Sequence, residues 1–68
     1  MKTIHIGGRK FIPPDTIWYL QSDQNYTKVY LNSGKMYFVA TTLKVIENRL
    51  TELRNFVRIN RGVIINKN

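Results

Sequence analysis

The sequence predicts a mainly β domain carrying one α-helix, and three observations lead there. Short strand-like runs recur along the chain, most of them closed by Gly, Pro, Asn or Ser. One stretch alone switches to helical spacing, with Leu43, Ile46, Leu50 and Leu53 falling three, four and three apart. Three Phe, four Tyr and one Trp supply the bulky groups that pleated surfaces favour and that a small core needs. At 68 residues the chain holds one domain at most, near the size where a hydrophobic core alone gives marginal stability.

The elements follow in order. Residues 2–6 alternate as a half-buried strand, with Ile4 and Ile6 on one face and Thr3 and His5 on the other. Gly7-Gly8 supplies the positive φ of a tight turn, and residues 9–12 return as a short strand or extended segment. Pro13-Pro14-Asp15 ends that run, because proline offers no ladder donor and holds its predecessor extended. Residues 16–21 form the next strand, with Trp18 expected in the core. The polar cluster Ser22-Asp23-Gln24-Asn25 breaks it, and Tyr26–Leu31 resumes with Val29 and Leu31 opposed to Lys28 and Tyr30. Asn32-Ser33-Gly34-Lys35 turns the chain into an antiparallel partner over residues 36–40. The helix follows, with Thr41 or Thr42 offering a hydroxyl N-cap and a stop expected near Arg54-Asn55. Residues 56–59 then read as a brief strand, Asn60-Arg61-Gly62 as a turn and residues 63–65 as a last strand before Lys67-Asn68.

Composition narrows the function. Eleven Lys and Arg against four Asp and Glu give a net charge of +7 and a pI near 10.2, a field that concentrates polyanions. The basic residues do not line a long amphipathic helix, so nucleic acid is favoured over a lipid surface. With no cysteine and only His5 as an imidazole, neither a disulfide framework nor a zinc site can be built, and no cofactor is expected. Asp15, Asp23, Glu47 and Glu52 fall in turns or on the helix's polar face, and Ser22 and Ser33 lack a nucleophile elbow, so an enzyme with a small-molecule substrate is not expected. Apolar runs such as Val63 to Ile65 are far too short to span a bilayer, and residues 1–10 lack a signal-peptide centre, so the expected location is cytoplasmic.

The candidate binding residues lie in two polar stretches. Arg58, Asn60 and Arg61 flank Ile59, with Phe56, Val57 and Ile59 expected as core anchors; Gln24, Asn25, Tyr26 and Lys28 form the second group. Arg offers a fork of donors suited to phosphate or guanine, and Asn offers one donor and one acceptor, the pair that adenine presents. If both stretches leave one side of the sheet, one can enter one groove while the other enters a second. Lys28, Arg58 and Lys44 suit phosphates, and Tyr26 is equally a packed aromatic. Residues alone leave DNA binding and an unspecified basic interaction module both open. RNA ranks third, because no aromatic pair on adjacent strands is evident as a stacking platform.

Four motifs in order carry a resemblance: I-P-P-D-T-I-W-Y-L-Q-S (residues 12–22), D-Q-N-Y-T-K-V-Y-L (23–31), T-L-K-V-I-E-N-R-L (42–50) and F-V-R-I-N-R-G-V-I-I-N (56–66). Together they resemble the LytTR DNA-binding domain family, found at the C-terminal end of many bacterial response regulators. The resemblance implies elongated antiparallel β layers with one helix, a role in transcription regulation, and double-stranded DNA read through loops placed in successive major grooves. By position it makes the turn at Asn25 and Tyr26 a first contact loop and Asn60-Arg61 the central base-reading turn, with Lys28 and Arg58 on phosphates. Two departures stand out. The family's usual Arg-x-His-Arg-Ser reads here Arg58-Ile59-Asn60-Arg61-Gly62, and the family domain continues into a further hairpin, so the chain reads as C-terminally truncated. The strand at residues 63–65 is then expected as an open sheet edge, with pairing to a second copy as a homodimer, or local disorder, as its outcomes. A truncated or degenerate domain associating with protein through that edge is the alternative function.

Overall fold

The computed structural model describes residues 3–67. Its strands are β1 (Ile4–Gly7), β2 (Lys10–Ile12), β3 (Ile17–Asp23), β4 (Tyr26–Leu31), β5 (Met36–Val39), β6 (Phe56–Asn60) and β7 (Val63–Asn66), with a 3-10 turn at Pro14–Thr16 and one helix, α1 (Leu43–Arg49). All strand pairing is antiparallel, as the alternating sequence runs imply: β1 and β2 form a hairpin, and the other five make one sheet in the order β5-β4-β3-β7-β6. The expected strand over residues 2–6 begins, among the described residues, at Ile4; Lys2 and Asn68 lie outside them. The described residues measure 29 × 26 × 22 Å along their principal axes, so any elongation is slight.

Each strand gives one face to a single core. Leu20 of β3, Val29 of β4, Val39 of β5 and Ile64 of β7 bury their side chains with Leu43, Ile46 and Leu50 of the helix and Ile6 and Ile12 of the hairpin. Burying such side chains stabilises by about 1.5–3 kcal/mol each, and this is what sets the register. Thr27 is the one buried polar side chain among the described residues; its Oγ1 donates to the Thr41 carbonyl at 2.5 Å, tying the start of β4 to the link between β5 and α1. Gly7 reaches the same link at φ +147, where a Cβ would overlap Thr41 Oγ1 and lie 2.9 Å from Val39 Cβ. Only glycine lets the hairpin approach so closely.

Several expectations give way here. Trp18 is 58% exposed because the β3–β4 register shifts between Ile17 and Tyr19, and the extra residue turns its ring out onto the edge of Tyr19. A second bulge, between Arg58 and Asn60, leaves Ile59 54% exposed instead of anchored. The helix ends at Arg49 rather than near Asn55: Leu50 has left helical geometry at φ −95, ψ 2, and the Thr51 hydroxyl bonds back to the Asn48 carbonyl at 2.8 Å. Leu53 still packs on the core, so the apolar stripe outlasts the helix. Thr42 stands at the N-cap without a side-chain bond. Residues 22 and 23 extend β3 instead of ending it. Finally, β7 is an interior strand between β3 and β6, so the edges of the sheet are β5 and β6.

Candidate nucleic-acid interface

The topology gathers the polar turns. Asp23 pairs with Tyr26, leaving Gln24-Asn25 as a two-residue hairpin loop with Gln24 at φ +56. Val63 pairs with Gln21 next door, and the Ser22 amide donates to the Gly62 carbonyl at 2.8 Å, so the β6–β7 turn sits beside the end of β3. Both turns therefore project from one end of the sheet. One joins β3 to β4 and the other joins β7 to β6, which separates them by about two strand spacings, roughly 10 Å. That spacing fits within one major groove, about 12 Å wide, and falls far short of the roughly 34 Å between successive ones. The turns thus lie closer together than two successive grooves would be.

The predicted contact residues differ in what they have to offer. Gln24 and Asn25 are exposed at the tip. Tyr26 and Lys28 stand on the sheet face away from the helix, where Tyr26 stacks on Phe38 with ring centroids 4.9 Å apart. Lys28 Nζ lies 3.9 Å from Asp23 Oδ2, a half-exposed pair that leaves the ammonium available. Arg61 is exposed and its guanidinium has no bonded partner among the described residues. Asn60 is partly engaged, since its Oδ1 accepts the Gly62 amide at 2.8 Å; its side-chain amide remains to donate, so the two-way adenine pairing is weakened. Arg58 is turned away. It pairs with Ile64 on the helix face, with Nη1 donating to Glu47 Oε1 at 2.7 Å, Nε to the Asn60 carbonyl at 3.3 Å and Nη2 to the Arg61 carbonyl.

A family model of the LytTr DNA-binding domain matches residues 7–68. The chain belongs to the LytTR family. LytTR domains are DNA-binding domains of transcription regulators, so DNA is the partner class of this chain. No curated protein and no solved structure matches the chain. In this LytTR sequence Gly62 has a local reason: a Cβ there would stand 3.1 Å from Ser22 Oγ, tighter than an ordinary contact, so the turn lies flush against β3.

Two features escaped the sequence. Gly7 packs against Thr41, which Thr27 holds at this same end, so the adjoining turn with Arg9 comes to the end where Lys44, already a phosphate candidate, follows Thr41 along the chain. Aromatic pairs do lie on adjacent strands, Tyr19 with Tyr30 at 4.5 Å and Tyr26 with Phe38 at 4.9 Å, on a face where Trp18, Met36 and Phe38 are exposed. Lys28 and Asp23 offset each other on that face, so it is apolar rather than basic. The first depends on how the β1–β2 hairpin packs on the sheet and the second on the exact registers of β3–β4 and β4–β5, and residue type alone gives neither.

Proposed function

We propose that this LytTR chain is a single sequence-specific DNA-binding module of a bacterial transcriptional regulator, cytoplasmic and without catalytic activity. It presents the Gln24-Asn25 and Asn60-Arg61 turns to one major groove. Arg61 reads a base edge, and Asn25, Gln24 and the Asn60 amide add hydrogen bonds. Lys28, with Tyr26 beside it, meets the phosphates along one wall, and Lys44 and Arg9 meet those along the other. One observation carries the reading: the two polar turns leave the same end of the sheet, where the Arg61 guanidinium has no partner among the described residues.

The test begins with duplexes selected from a random pool. Arg61→Ala should weaken the selected duplex by about 1–3 kcal/mol relative to random duplex, the range of a good bidentate base contact. Lys28→Ala should weaken both alike and reduce the slope of log K against log salt by about 0.9. Equal losses on all duplexes for Arg61→Ala remove the base-reading role.

The exposed aromatic face and the open edges β5 and β6 favour a second reading, association with protein, including a homodimer. Light scattering separates the two: a stable dimer indifferent to duplex supports association, and a monomer that binds duplex supports the first.

A further inference from the structure

Arg58 is the residue whose environment departs most from a DNA contact. Its side chain lies on the helix face of β6, opposite Ile64, while Lys28, Gln21 and Asn60 share the other face through the register of β4, β3, β7 and β6. Its guanidinium already serves three acceptors: Glu47 Oε1 on the last turn of α1, the Asn60 carbonyl and the Arg61 carbonyl. The Asn60 side chain then closes the turn from within by accepting the Gly62 amide. The backbone of the turn is thus tied inward at three points, and what projects is the Arg61 guanidinium and the Asn60 amide. Glu47 is one of only four acids in a chain of charge +7, and it sits beside the turn where a polyanion would least welcome it.

We infer that Arg58 is a positioning residue, fixed by Glu47, that holds the Asn60-Arg61-Gly62 turn in its DNA-reading shape rather than binding phosphate itself. The inference rests on the DNA-binding reading for its consequence and on the free protein's geometry for its cause. A half-exposed ion pair of this kind adds little to overall stability, so its effect lies in the conformation of the turn. Arginine suits the task because one planar fork meets a carboxylate and two carbonyls at once, whereas a lysine ammonium is a point charge.

The experiment uses the full chain, a selected duplex and a random duplex. Glu47→Gln raises the net charge from +7 to +8, and field attraction alone would tighten every duplex. The inference expects the reverse for the selected duplex: binding weaker by on the order of tenfold, part of one bidentate base contact, with random duplex unchanged or tighter. Arg58→Gln should give the same selective loss with the salt slope unchanged, and Arg58→Lys should not restore it. In the free protein, hydrogen exchange at the Gly62 amide should quicken in both the Glu47→Gln and Arg58→Gln variants. A slope lowered by about 0.9 with equal losses on both duplexes in Arg58→Gln would make Arg58 a phosphate ligand and overturn the inference. So would tighter binding of the selected duplex by Glu47→Gln, or Gly62 exchange that neither change alters. Wild-type protein that cannot tell the two duplexes apart removes the DNA reading instead, while the exchange measurement still decides the clamp.

Discussion

Replacing Gly7 with alanine tests how the hairpin is seated at the contact end. Two costs add. A φ of +147 is backbone that alanine adopts only under strain, about 1–3 kcal/mol, and the new methyl would overlap Thr41 Oγ1 while standing 2.9 Å from Val39 Cβ, an overpacking that costs about 1–3 kcal/mol more. The sum, roughly 2–6 kcal/mol, compares with a total stability of about 3–10 kcal/mol for a domain of 68 residues. Thermal unfolding followed by circular dichroism should therefore show a loss of at least about 8 °C, at roughly 4–8 °C per kcal/mol for this size. Adding Thr41→Ala removes the nearest obstructing atom, and the double variant should recover more stability than the two single changes predict, by about 0.5 kcal/mol or more. A Gly7→Ala protein as stable as wild type, or a pair that shows no coupling, would refute the close approach and with it the placing of Arg9.

Arg9→Ala and Lys44→Ala should each lower the salt slope of duplex binding by about 0.9, whereas Lys35→Ala, in the turn at the other end of the sheet, should leave it unchanged; fluorescence anisotropy at several salt concentrations measures all three. Gln24→Gly relieves a positive φ that costs an L-residue roughly 1–2 kcal/mol, offset by about 0.5–1 kcal/mol of extra chain entropy in the unfolded state, so its midpoint should rise by a few degrees while binding of the selected duplex weakens. A lower midpoint would mean that the Gln24 side chain supports the fold.

Most of the architecture was legible because burial imposes simple periods. The alternation in Tyr26–Leu31 and the stripe of Leu43, Ile46, Leu50 and Leu53 each mark a face that the core then buries. Three of the misses share one physical origin, a local exception that pattern does not carry. An extra residue in β3 sent Trp18 outward, another in β6 sent Ile59 outward, and the Thr51 hydroxyl ended the helix early. At the site, residue types singled out two polar turns, and the nearness of those turns follows from strand order, which placed β7 beside β3. Arg58 shows the limit most plainly: its type suits phosphate, yet its register faces it toward Glu47.

The most direct test of the central claim is a titration of 15N-labelled protein with duplex DNA, read residue by residue from amide shifts. The shifts should concentrate at Arg9, Gln24, Asn25, Arg61 and Gly62, and the turn at residues 32–35 should stay where it is. Shifts gathered on residues 32–35, with the Gln24-Asn25 and Arg61-Gly62 turns unmoved, would contradict the account.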